Sequence, residues 1–115
     1  GKKWLFYAKG GGYRKWYGNL SEVVNWSEEA REFYKNDKIC RIIPEYLWYK
    51  AGITWSLISN NPSFRLLPEE ATFDVGGSSI FLKDNSNIEF VLGLLNSKVF
   101  FLMSKKLLIL QSIFR

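Results

Sequence analysis

The chain has 115 residues, 47% hydrophobic, 17% aromatic and 23% charged, which is enough to bury a core and too ring-rich for disorder, so 1–115 reads as a single domain or an excised part of one. Its net charge of +5 is uneven: Lys2, Lys3, Lys9, Arg14 and Lys15 all precede the first acid, Glu22, and the 11 remaining bases match the 11 acids, a distribution that points to a polyanionic partner. With no histidine and one cysteine, imidazole triads, His-containing metal sites, Cys-rich zinc sites and internal disulfides are all excluded.

In chain order, Gly10-Gly11-Gly12 lies between aromatic and basic residues, and predicts a β-hairpin with strands at 3–9 and 13–18. The glycines allow a phosphate to approach the backbone, Arg14 and Lys15 can hold it, and the rings of Tyr13, Trp16 and Tyr17 offer stacking surfaces for bases. An ordinary hairpin, with the aromatics in a core and the bases solvated, is compatible with the same pattern. Residues 23–26 read as a short strand, and Ser27 caps a helix that carries Glu28 and Glu29 at its positive end and runs to about Lys35. The stretch 38–52 has no clear period. Cys40 within it reads as a buried structural thiol.

Residues 53–59 alternate like a strand, 64–67 form another ended by Pro68, and strands at 71–75 and 79–82 flank Gly76-Gly77. Paired glycines inside a strand suggest a bulge or the close approach of a ligand. Ser86-Asn87-Ile88-Glu89 has the form of a capping box opening a helix with apolar spacing to Leu102, which Lys105-Lys106 separates from a further apolar stretch. Together these elements predict an α+β fold, a twisted antiparallel or mixed sheet of short strands with two supporting helices.

The chain shows no Walker phosphate loop, no Gly-x-Gly-x-x-Gly and no Asp/Glu-x-Lys nuclease core. Glu28-Glu29 and Glu69-Glu70 read as solvated pairs, since burying both charges is costly. Nothing in the chain is catalytic, and it needs no cofactor. Met103 is the only methionine, so the chain reads as an excised piece of a longer polypeptide. It has no secretory signal, and the charges at Glu89, Lys98, Lys105 and Lys106 leave no span of bilayer length, so a cytoplasmic location and no membrane partner are expected.

Four ordered blocks, Tyr7 to Asn19 with Val23 to Trp26, Gly52 to Ser59, Phe73 to Phe81 and Leu92 to Lys98, resemble the target-recognition region of adenine-specific DNA methyltransferases from bacterial phage-exclusion (BREX) systems and fused restriction-modification enzymes. The resemblance implies a non-catalytic DNA-binding module that works beside an S-adenosylmethionine-dependent methyltransferase domain. The Asn/Asp-Pro-Pro-Tyr signature of that domain is absent here. The candidate DNA-binding residues are Lys9, Gly10, Gly11, Gly12, Tyr13, Arg14, Lys15, Trp16, Tyr17, Thr54, Ser56, Gly76, Gly77, Ser78 and Ser79, with double-stranded DNA and the parent's catalytic domain as partners. Thr54-Trp55-Ser56 equally fits a core Trp between two surface hydroxyls. The alternative function is a protein-interaction module that docks, or forms a homo-oligomer, through exposed aromatics and residues 99–114.

Overall fold

The first strand, β1 (Trp4–Ala8), pairs antiparallel with β2 (Glu22–Asn25) from Trp4↔Asn25 to Tyr7↔Glu22, and not with residues 13–18. The hairpin expected around the glycines is therefore replaced by a long connection, residues 9–21, that leaves this sheet altogether. Positive φ at Trp16 (79°), Gly18 (131°) and Asn19 (56°) explains the difference, because such residues cannot continue a strand. The computed structural model describes residues 3–56, 63–74 and 78–113, with backbone alone for 107–113.

Two small sheets, rather than one, carry the α+β fold. In the first, the order is β2-β1-β5, with β5 (Ala71–Phe73) parallel to β1; in the second it is β4-β3-β6, all antiparallel, built from β3 (Gly52–Trp55), β4 (Phe64–Leu67) and β6 (Ser79–Ile80). The chain passes from the second sheet to the first through Pro68, whose carbonyl accepts from Ala71 N at 3.1 Å, and returns before β6. The strands on either side of Gly76-Gly77 thus belong to different sheets; the glycines themselves lie outside the described residues. Ala8, Ala71 and Leu67 form a core cluster shared by the two sheets. Gly52 permits close packing on β3, since a Cβ there would stand 2.6 Å from the Ile80 carbonyl oxygen.

Helix α1 (Glu28–Asn36) starts as its sequence predicts, with Ser27 Oγ accepting from Ala30 N at 3.2 Å. Downstream, Trp48 pins the irregular segment 38–49 to the first sheet: its indole donates to the Ile43 carbonyl at 2.9 Å, its ring meets Trp26 edge-on at 5.4 Å, and Arg31 lies over it at 5.0 Å. Cys40 on this segment is exposed, not buried, because Asp37 Oδ1 accepts from the amides of Ile39 and Cys40 and fixes a surface turn. Partial desolvation and then the Asp37 carboxylate push its thiol above the usual range, which disfavours the reactive thiolate.

The C-terminal part holds two helices instead of one helix and a separate tail. Helix α2 (Ile88–Leu95) and helix α3 (Lys98–Ile113) meet at an elbow of 68°, and α3 runs unbroken through Lys105-Lys106. The Ser86 capping box does not form. Asp84 takes that role, accepting from Ser86 N at 2.9 Å ahead of a 3₁₀ turn, Asn85–Asn87. Ser97 caps α3 through its hydroxyl to Phe100 N at 3.2 Å. No single helix among the described residues is long and apolar enough to cross a membrane.

Ile88 and Leu92 of α2 pack on Ile53, with Phe64 and Leu66 beside them. At the elbow, Asn96 behaves as a strand residue would: its Oδ1 accepts from Phe64 N and its Nδ2 donates to Phe64 O, both at 2.9 Å. Replacing Asn96 by Ala strands a backbone N–H and removes both bonds, so the expected loss is about 2–3 kcal/mol, against about 1 kcal/mol for Ser97→Ala; urea unfolding measures both.

Candidate nucleic-acid interface

Trp16 is the pivot of the basic, aromatic loop. Its N–H donates to Phe64 O at 2.9 Å and its carbonyl accepts from Leu66 N at 2.8 Å, so the loop covers the free edge of β4. Tyr17 N donates to Lys15 O at 3.0 Å, which with the Trp16 φ of 79° makes a γ-turn of the strained hand. A bulky residue in this region costs on the order of 1–3 kcal/mol. The ring gains little burial in return, being 53% exposed, and Tyr13 (56%) and Tyr17 (58%) are exposed beside it.

The cations are held in distinct ways. Lys15 is half-buried and donates to the Asn96 carbonyl at 2.9 Å, at the negative end of α2, and lies 6.0 Å from the Tyr13 ring centroid. Arg14 N donates to Ser63 Oγ at 3.1 Å, and its side chain crosses Gly18, where a Cβ would come within 2.4 Å of it. Lys9 forms only a solvated pair with Glu22 at 3.4 Å, of little energetic weight. Lys98, in the first turn of α3, lines a hollow of about 120 Å³ with Tyr13 and Lys15.

Beneath the loop lies Arg65, only 1% exposed. Its Nη1 donates to the Arg14 carbonyl at 3.1 Å and to Ser63 Oγ at 3.3 Å, while its Nε has no partner. No carboxylate pairs with it among the described residues. Burial, then the neighbouring Arg14, lowers its pKa from the usual range, yet a guanidinium keeps its charge.

The candidate residues divide into three groups. Gly10, Gly11 and Lys9 border a hollow that reaches Tyr7, and Ser78 and Ser79 border a groove that also reaches Tyr7, so these blocks share a neighbour. Gly12 is open on all sides, while Tyr13 to Tyr17 lie against β4 and the elbow. Thr54 (1% exposed) and Ser56 (6%) leave the candidate surface: β3 is a central strand, the Thr54 hydroxyl donates to the Ser78 carbonyl at 2.9 Å, and Trp55 is the more exposed residue of the three. Gly76 and Gly77 lie outside the described residues. Sequence reasoning missed Asn96 and Arg65. Asn96 sits inside a block read as continuous helix, where only the Asn-Ser pair before Lys98 signals a second N-terminus.

No protein-family model matches the chain. Over 99 residues, 84% of its length, it is 34% identical to the adenine-specific methyltransferase BrxX of Escherichia coli O9:H4 (strain HS). Over 103 residues it is 38% identical to the adenine-specific methyltransferase PglX of Lacticaseibacillus casei (strain Zhang). Its relatives are adenine-specific methyltransferases. The chain spans 8% and 9% of their respective lengths.

Strain at Trp16 has a measurable signature. Trp16→Gly should fold about 1 kcal/mol more stably than Trp16→Ala, because glycine adopts positive φ freely whereas it is the weaker residue at ordinary positions. Chemical denaturation of the two variants checks the sign; a less stable glycine variant removes the strain.

Proposed function

We propose that this chain is a non-catalytic DNA target-recognition module of a larger adenine-specific methyltransferase. The observation that carries the reading is the Tyr13–Tyr17 loop, where three exposed rings and two cations are held rigidly on a sheet edge at an energetic cost. Arg14, Lys15 and Lys98 gather beside the positive end of α3, and a phosphate there would relieve the repulsion between Lys98 and that helix end. Ser78, Ser79 and the Gly10–Gly12 backbone lie on the other side of the loop's path, suited to holding a second stretch of backbone. On this reading the methyl transfer and its S-adenosylmethionine belong to another part of the parent polypeptide.

Duplex binding by this chain should be weak, with a dissociation constant on the order of 10⁻⁴ to 10⁻⁶ M near physiological salt. Arg14→Ala with Lys15→Ala should flatten the log-log salt dependence by about 2 units, since each phosphate contact contributes roughly 0.9. Trp16→Gly should weaken binding without unfolding the chain. An unchanged salt slope in the double variant places the DNA contacts elsewhere.

A second reading rests on a separate observation. Phe90 (73% exposed) and Leu94 on α2, with Val99, Leu102 and Met103 on α3, leave large apolar side chains in water on the two helices. Each gains about 1.5–3 kcal/mol on full burial, so this face suits docking on the rest of the parent polypeptide, and self-association when that is missing. Sedimentation over a hundredfold dilution should show a dimer or larger species at micromolar concentration and a monomer for Leu102→Glu with Met103→Glu. A monomer at every concentration in the unmodified chain rules out self-association through this face.

A further inference from the structure

Behind Tyr7 is a cavity that the proposed function does not use. It lies between the first sheet and the irregular segment 38–44, has a volume of about 130 Å³, and is lined by Tyr7, Trp26, Tyr34, Ile43, Thr72 and Phe73. Tyr34 Oη already donates to the Asn25 carbonyl at 2.9 Å. Tyr7 bonds to Asp74, and its hydroxyl is pushed above the usual range first by burial and then by that carboxylate. Trp26 differs: it is 4% exposed, and its indole N–H has no acceptor. A buried donor without an acceptor calls for an explanation.

Size and walls restrict what can supply that acceptor. A cavity of about 150 Å³ accommodates benzene, so this one admits a single six-membered ring and not a fused purine. Its aromatic walls suit a flat ring, and the indole requires an acceptor on it. A wider groove of about 750 Å³ shares the Tyr7, Arg41 and Phe73 walls and extends to Ser78 and Ser79. Arg41 forms no ion pair among the described residues, leaving a cation and two hydroxyls for a sugar and phosphate.

We infer that the cavity receives an unstacked pyrimidine base, its C2 carbonyl accepting from the Trp26 indole while its phosphate rests against Arg41 in the groove. The inference rests on the DNA-binding reading above and adds a base-sized site to it. Both pyrimidines carry the C2 carbonyl, so the site selects ring size and not cytosine over thymine. Unstacking costs least in single-stranded or mismatched DNA, so occupancy should be greatest there.

The test uses the full 115-residue chain labelled with ¹⁵N, with the Trp26 indole resonance assigned through Trp26→Phe. Titration with dCMP or dTMP should give a saturable downfield shift of that resonance. dAMP should act at least tenfold more weakly, about 1.4 kcal/mol in affinity, and deoxyribose 5-phosphate should leave it unmoved. Ile43→Trp, which fills the cavity from the irregular segment, should abolish the response. An unmoved Trp26 indole at millimolar dCMP and dTMP, or equal shifts with dAMP, overturns the inference. If duplex DNA still perturbs the Arg14 and Lys15 amides in that case, the DNA-binding reading stands without the base site. If the nucleotides shift Trp26 but neither duplex nor single-stranded DNA perturbs any residue, the cavity is a free-nucleotide site and the DNA-binding reading falls.

Discussion

Phe64 is the residue on which the helices, the second sheet and the loop converge. Its N–H is held by Asn96 Oδ1, and its carbonyl accepts from both Asn96 Nδ2 and Trp16 N. One carboxamide thereby fixes the α2–α3 elbow against β4, while the same peptide group anchors the strained turn at Trp16. The Phe64 ring adds a hydrophobic counterpart, packing edge-on against Phe100 of α3 at 5.9 Å between centroids. Positive φ at Trp16 persists because the bonds on both sides of that residue over-determine its conformation. The exposed aromatic loop is therefore a consequence of how the helices are attached, and the two cannot be separated by mutation at Asn96.

Charge in this chain acts through position more than through count. Arg65 holds the Arg14 carbonyl from below and keeps a guanidinium under the loop with no carboxylate partner among the described residues. A buried charge is screened less than a solvated one, so its field reaches the surface above more strongly than that of Lys9, which Glu22 offsets in water. Lys15, in contrast, is partly satisfied by the Asn96 carbonyl. On the proposed reading, the attraction for phosphate comes from Arg14 and Lys98 at the rim, with Arg65 reinforcing them from within.

Features set by local chemistry were legible in the sequence. The Ser27 cap, the strands near 53, 64 and 71, and the start of the C-terminal helical region all depend on residues within a few positions of one another. Pairing was not legible. The turn signal of three glycines is the same whether the next segment returns to β1 or departs for β4, and nothing local in Tyr13–Tyr17 announces a positive φ at a tryptophan. Thr54 and Ser56 show the same limit: alternation gives two faces of a strand, but only the packing of β4 and β6 on either side makes both faces interior. Cys40 was misread because frequent burial of cysteine is a statistical tendency, whereas the Asp37 turn that exposes it is a specific geometry.

Switching between sheets explains why two blocks far apart in sequence come together at Tyr7. β5 lies parallel to β1, which sets Thr72 opposite Tyr7 and brings Asp74 N to the Ala8 carbonyl, 3.3 Å away. The chain then has to leave for β6, where Ser78 O accepts from Trp55 N at 3.2 Å. Ser78 and Ser79 must therefore lie where the two sheets adjoin, on the side from which the glycine loop departs after Ala8. An antiparallel return from β5 to β1 would have set Asp74 beside the start of β1 and separated the serines from the glycines. The parallel pairing of three residues is thus what makes one continuous surface from Lys9 through Tyr7 to Ser79, while the rings of Tyr13 to Tyr17 are carried to the elbow, dividing backbone-holding groups from stacking groups on the proposed interface.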